Sequence, residues 1–372
     1  MSAGPETGAT ALKCTEHGTP TRLTCAECGT PICPECLVKT PVGLKCPTHA
    51  EAVAAPKVKV RRSNLATVVI GVLAVVGAVA ALLSVLGGGE SVDTAGQGGP
   101  AVPLPGRIET PQVGLMAADG SGKRLVTNRP RAFDGSPTWS PDGSRIAFES
   151  VVDGRRSIWV VQADGDGIRR LTEGAGADSA PAWSPDGMRI AFMSDRDGNP
   201  DIYVMNADGS SPRRLTDAPG EDGFPAWAPD GSRVAFVSDR SGELRVWTVA
   251  PDGSGPAMLV DVPAVPDRVA FFPDGRRVVM TSDRDGNPEL YVVSLDGAAP
   301  VRLTDNLASD GEPSISPDGS RVVFASDRDG TPAVFVMGTD GTGVRKLTTG
   351  PRGFAPAWSP DGAHIAYVTD PG

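Results

Sequence analysis

The stretch Pro181–Thr216, PAWSPDGMRIAFMSDRDGNPDIYVMNADGSSPRRLT, decides the fold. Four short apolar runs alternate in it with turn residues. Pro185-Asp186-Gly187 makes the first turn, where Pro presets φ and Gly tolerates the positive φ that closes a hairpin. Arg189–Ser194 reads as the second strand, Asp195–Pro200 as the turn after it and Asp201–Asn206 as the third strand. Asp208-Gly209 is then a hairpin turn leading to an outer strand at Arg213–Thr216. The inner strands are apolar at successive positions, as expected where a sheet is packed on both faces.

Working outward, the phrase W-S-P-D-G recurs at Trp139–Gly143, Trp183–Gly187, Trp227–Gly231, Phe271–Gly275, Ile315–Gly319 and Trp358–Gly362, at intervals of 44, 44, 44, 44 and 43 residues. That period predicts a four-stranded propeller blade. The second half of the unit also occurs six times, ending at Thr127, Thr172, Thr216, Val260, Thr304 and Thr348. The repeat region opens with a second half (Val113–Thr127) and closes with a first half (Phe354–Thr369), so the two ends are expected to share one blade, two strands from each. Such a clasp closes the ring and leaves no free edge strand. The expected fold is therefore mainly β, a six-bladed β-propeller with two-plus-two strand closure over residues 112–372.

These repeats resemble the TolB-type propeller, related to WD-repeat proteins and to the N-terminal propeller of dipeptidyl peptidases. The resemblance covers the repeat region and implies the fold; propellers serve both binding proteins and enzymes, so function must come from the site.

All six Cys of the chain lie between Cys14 and Cys46. With two His they form four pairs of two-residue spacing: Cys14/His17, Cys25/Cys28, Cys33/Cys36 and Cys46/His49. That spacing lets both members of a pair reach one tetrahedral Zn²⁺, so four pairs supply ligands for two structural zinc ions. The segment resembles a B-box zinc finger. The resemblance implies a cross-brace, with Cys14, His17, Cys33 and Cys36 on one ion and Cys25, Cys28, Cys46 and His49 on the other, although the closing Cys-x2-His departs from the usual B-box ending. It also implies protein contacts for residues 1–56.

Leu65–Leu86, LATVVIGVLAVVGAVAALLSVL, carries no charge. As a helix it would reach roughly 33 Å, enough to cross the hydrocarbon core of a bilayer. More than sixty residues precede it, which disfavours a cleavable signal peptide. Residues 57–64 hold Lys57, Lys59, Arg61 and Arg62, and no Lys or Arg follows the span until Arg107. The positive-inside rule then predicts a single-pass membrane protein with a cytoplasmic N-terminus and an extracytoplasmic propeller. Confinement of Cys to the N-terminal side agrees with a reducing compartment there. Residues 87–111, Gly-rich and then Pro-rich, read as a linker. Residues 1–64 carry a formal charge of +3 and the remainder −13, which argues against nucleic acid as a partner of the propeller.

No G-x-S-x-G elbow occurs, and the single His of the repeats, His364, takes a position held elsewhere by Arg145, Arg189, Arg233, Arg277 and Arg321. No catalytic residue is expected. The recurring Asp-Arg pairs Asp195-Arg196, Asp239-Arg240, Asp283-Arg284 and Asp327-Arg328 read as turn chemistry, their carboxylates capping nearby N–H groups. Asp134, Asp178, Asp222 and Asp310 each lie five residues before an anchoring aromatic or Ile, with Pro266 and Gly353 in the other two blades. Placed just ahead of the innermost strands, they would ring one mouth of the channel and attract a cationic partner segment, or serve as turn caps. The expected function is a membrane-anchored interaction scaffold. Its propeller would bind an envelope or extracellular protein or peptide, and its zinc finger a cytoplasmic one. A transmembrane sensor is the alternative, with a propeller hydrolase behind it.

Overall fold

A computed structural model describes residues 12–13, 20–21, 38–40, 43–45, 110–174 and 176–371. The eight expected zinc ligands, the basic segment 57–64, the apolar span 65–86 and nearly all of the linker lie outside these residues. Two short antiparallel pairs are described in the N-terminal unit, Leu12–Lys13 with Pro20–Thr21 and Val38–Thr40 with Gly43–Lys45. Among the described residues no helix is long and apolar enough to cross a membrane.

The C-terminal unit is built of six four-stranded antiparallel sheets. Blades 1 to 5 are contiguous in sequence, with innermost strands at Phe133–Trp139, Asp178–Trp183, Asp222–Trp227, Ala270–Phe271 and Asp310–Ile315. Blade 6 takes two strands from each end of the repeat region. Gly353–Trp358 and His364–Thr369 continue onto Gln112–Ala117 and Arg124–Leu125. Its central register pairs His364 with Ala117 and Thr369 with Gln112. Trp139 of blade 1 also donates its indole N–H to the Ala357 carbonyl of blade 6 at 3.2 Å, tying the clasp to the next blade. In blade 2 the second and third strands span Arg189–Ser194 and Asp201–Asn206, and the outer strand is trimmed to Arg213–Arg214.

The repeated phrases have local physical causes. In blade 2, Gly187 takes φ +69° and its N–H donates to Ser184 O at 2.9 Å, while the Asp186 carboxylate accepts the Met188 N–H at 2.9 Å. The Ser184 hydroxyl then accepts the Arg189 N–H at 2.9 Å, launching the second strand. The Thr that closes five of the six units has a parallel role. Thr127, Thr172, Thr216, Thr304 and Thr348 each accept, through Oγ1, a third-strand backbone N–H that the short outer strand leaves unpaired.

The core is divided among the joints. One buried apolar cluster lies between each pair of neighbouring blades, the sixth joining blade 6 to blade 1 through Val113, Leu115, Trp139, Ile146, Phe148 and Ala366. Phe148, Phe192, Phe236 and Phe324 occupy the same second-strand position and are fully buried. Arg145, Arg189 and Arg321 reach forward to lie 4.8, 4.9 and 4.6 Å from the Trp ring of the following blade. These cation–π contacts stitch successive blades together.

Candidate binding site in the propeller channel

The four aspartates expected at the channel mouth are buried, with at most 2% exposure each. Each is held by an arginine: Asp134 by Arg129 at 2.5 Å, Asp178 by Arg196 at 2.8 Å, Asp222 by Arg240 at 2.6 Å and Asp310 by Arg328 at 2.8 Å. In blades 2, 3 and 5 the arginine comes from the Asp-Arg turn, so the two recurring sets form one device. The turn's aspartate holds the loop ahead of the innermost strand: Asp195, Asp239 and Asp327 accept the N–H groups of Ala177, Glu221 and Ser309 at 2.7, 2.8 and 2.8 Å. The turn's arginine then fixes that strand's first carboxylate. Burial still pushes the Asp134 carboxyl above the usual range, against the pull of Arg129. This geometry assigns the four carboxylates to the internal bracing of the blades. Where blade 4 has Pro266, Arg284 is left half-exposed, with a long contact to Asp285 at 4.0 Å and its guanidinium 5.9 Å from the Tyr291 ring. Where blade 6 has Gly353, Pro371 stands at the turn-arginine position, and the Arg352 side chain pairs with Asp370 of that turn at 2.8 Å.

Two residues further along, the innermost strands share a second feature. Ser136, Ala180, Phe224, Glu312 and Ala355 all take φ between +48° and +55°, each at a bulge where the register to the second strand shifts. Each precedes a Pro. Non-Gly residues are uncommon in this conformation, and here the bulge aims the backbone N–H away from its own sheet. Carboxylates accept three of these N–H groups. Glu149 Oε2 takes Ala180 N–H at 3.0 Å, Asp267 Oδ2 takes Glu312 N–H at 2.6 Å, and Glu312 Oε2 takes Ala355 N–H at 2.6 Å. Gly311 lets Asp267 come this close, since a Cβ there would stand 2.9 Å from Asp267 Oδ2.

Blade 4 breaks the pattern. It places Arg268-Val269 where the other blades have a positive-φ residue and Pro, and its innermost strand shortens to Ala270–Phe271. The Arg268 side chain extends across the ring. Its Nη1 donates to Pro356 O of blade 6 at 3.2 Å and its Nη2 to Pro137 O of blade 1 at 3.4 Å. Burial pulls this guanidinium below its ordinary range, opposed by Glu312, Asp267 and Glu149. Glu312 is pushed up to about 7, by burial first and by the neighbouring Asp267 second.

Two adjoining cavities follow. The upper, of about 110 Å³, opens where the innermost strands begin. Phe133, Val151, Met193, Phe224 and Phe354 line it, with Glu149, Glu312 and Arg156 as its charged members outside the Asp134 pair. The lower, of about 40 Å³, is lined by Asp267, Arg268 and Glu312 among others. Aromatic walls above three carboxylates and one arginine suit an organic cation with an apolar stem. Among the described residues no group of His, Cys, Asp or Glu is arranged to hold a metal ion. His364 is exposed on its strand, away from this cluster. The residue-level signal for the cluster is departure from the repeat: Glu149, Asp267, Arg268 and Glu312 stand where the other blades have different residues.

Fold and channel together define a six-bladed β-propeller closed by strands from both ends of the repeat region. The sequence matches the TolB beta propeller domain over residues 108–216, 176–260 and 257–372, and the chain belongs to this family. Residues 9–40 match the B-box zinc finger, a span that holds six of the eight expected ligands and ends before Cys46 and His49. Among solved structures, a putative TolB from Agrobacterium tumefaciens is similar at 24% identity and a TM-score of 0.61, covering 71% of this chain and 99% of that one. TolB from Acinetobacter baumannii is similar at 22% identity and a TM-score of 0.56, covering 72% and 66%. A chain of a nidogen/laminin complex is similar at 11% identity and a TM-score of 0.52, covering 63% and 92%. These likenesses are of fold.

Proposed function

We propose that this protein is a membrane-anchored interaction scaffold. Its propeller binds a protein or peptide segment bearing positive charge at the upper channel cavity, outside the cytoplasm. Its B-box module, folded around two zinc ions, holds a protein partner inside. The observation that carries the propeller half of this reading is the cavity itself. Phe133, Phe224 and Phe354 offer apolar walls, and Glu149 and Glu312 present carboxylates at its base. The acidic balance of the exported region supports the same sign of partner, because a channel flanked by negative charge draws cations inward. The membrane half rests on the uncharged run 65–86 and the four basic residues ahead of it. The zinc half rests on the Cys/His pairs and the B-box match.

The test uses the full chain in detergent micelles and unstructured peptides of one length with net charge graded from negative to positive. Fluorescence anisotropy should show affinity rising with positive charge and falling with salt. The Glu149→Gln/Glu312→Gln double variant keeps an acceptor oxygen at each bulge, so it should fold while losing that charge dependence. Equal binding of acidic and basic peptides would contradict the reading.

A further inference from the structure

Arg268 differs from the arginines that brace the innermost strands in what it reaches and how loosely it is held. The arginines that brace the innermost strands meet a carboxylate at 2.5–2.8 Å. Among the described residues the Arg268 side chain makes two hydrogen bonds, at 3.2 and 3.4 Å, both to backbone carbonyls and both on blades across the ring. Three carboxylates act on it from Glu312, Asp267 and Glu149, yet none stands within ion-pair distance among the described residues. A guanidinium offers five donors in a fixed fork, and two long bonds to carbonyls use few of them. The chain around it is equally unusual. Blade 4 has exchanged the bulge-and-proline element for Asp267-Arg268-Val269 and lacks the corresponding innermost pairing.

We propose that Arg268 is an internal occupant of the acidic channel site, and that a partner's guanidinium or ammonium group displaces it on binding. This rests on the reading of the channel as a site for cationic segments. The carbonyls of Pro137 and Pro356 and the carboxylates of Glu149, Asp267 and Glu312 form the receptor. Arg268 fills it in the free protein, and a partner's Arg or Lys enters from above between Phe133, Phe224 and Phe354. Arg268 thereby sets the affinity. A segment with one weakly placed cation does not dislodge it, whereas one that also fills the apolar cavity does. The consequence is selection for a basic residue flanked by apolar ones, over a merely basic chain.

Two probes test this in the full chain. The first is a peptide with one Arg between two Leu, compared with a tri-lysine peptide of equal length. Arg268→Gln should bind both more tightly, by about tenfold if the wild-type site is open about a tenth of the time, and should lose most of the preference between them. The second probe is methylguanidinium chloride against methylammonium chloride. Arg268→Ala vacates the receptor, so methylguanidinium should raise its melting temperature more than methylammonium does and leave the wild type unmoved. Arg268→Lys folds with a cation in place but cannot bridge both carbonyls, so its peptide affinity should fall between wild type and Arg268→Gln; it gives the reading if the neutral variants do not fold. Unchanged or weaker peptide binding in Arg268→Gln and Arg268→Lys, or methylguanidinium acting alike on wild type and Arg268→Ala, would overturn the proposal. Absence of cationic peptide binding in every form, with selective rescue by methylguanidinium intact, would instead overturn the channel reading and leave Arg268 as the filler of an acidic hole.

Discussion

Arg240 and Asp222, eighteen residues apart in the chain, meet at 2.6 Å because the first hairpin of blade 3 folds the turn after the second strand back over the start of the innermost one. Both partners are largely buried, at 12% and 0% side-chain exposure. The register explains the meeting: Asp222 pairs with Ser238, two residues before Arg240, and Ser238 Oγ also accepts the Arg240 Nε–H at 2.9 Å. The same construction recurs in blades 2 and 5.

Breaking one of these pairs should therefore damage stability. Asp222→Ala leaves a buried guanidinium uncompensated, and the propeller should lose roughly 3 kcal/mol, measured by denaturant unfolding. Arg284→Ala is the control. With Pro266 in place of an aspartate and the side chain 39% exposed, it should cost well under about 1 kcal/mol. Equal losses in the two variants would remove the distinction between braced and unbraced blades.

A second prediction concerns pH. The Glu312 carboxyl is pushed from 4.5 up to about 7 on folding, so the folded state holds its proton where the unfolded chain has released it. Stability from this group is present below about 4.5 and is lost as pH rises towards about 7. Asp201, raised by burial to about 6, acts in the same direction. Glu312→Gln should flatten, without abolishing, the fall in melting temperature between pH 5 and 7, and an unchanged slope would show that Glu312 does not titrate as placed.

Much of this fold was legible in the sequence because the blades repeat. The recurring half-units gave the blade count, the half-units at the two ends gave the two-plus-two closure, and the boundaries expected for Arg189–Ser194 and Asp201–Asn206 are those observed. The site was legible only in pieces. The Asp-Arg turns and the aspartates ahead of the innermost strands stood out as separate sets, since their contact depends on hairpin register rather than on spacing. Asp178 and its equivalents were expected to ring the channel mouth or to cap turns, but they are buried against arginines: Arg196, Arg240 and Arg328 from the Asp-Arg turns, and Arg129 in blade 1. Glu149, Asp267, Arg268 and Glu312 were missed altogether. A repeat directs attention to what recurs, whereas these residues are exceptions to it, converging from three different blades.

The N-terminal module carries its own prediction. The full chain in detergent should contain two zinc ions by elemental analysis, with Cys14→Ser and Cys25→Ser each removing one. One ion in the wild type would refute the two-site reading. If the loss of Cys14 also frees Cys33 and Cys36 to thiol reagents, the cross-brace holds.

Topology is checked by limited proteolysis. Protease added to intact cells or spheroplasts should cut within residues 87–111 and release a fragment carrying the six blades. Digestion of the zinc module instead would reverse the orientation inferred from Lys57, Lys59, Arg61 and Arg62.

The central claim is that the upper channel cavity receives a cationic partner segment, and site-directed photo-crosslinking in living cells tests it most directly. A photoreactive residue at Phe354, on the cavity wall, is compared with one at Met188, exposed in the turn at the far end of the blades. Cross-links from Phe354 should map by mass spectrometry to segments rich in Lys or Arg next to apolar residues, and should disappear in the Glu149→Gln/Glu312→Gln background. Cross-links that survive the double variant, map to acidic segments, or form equally from Met188 would contradict it.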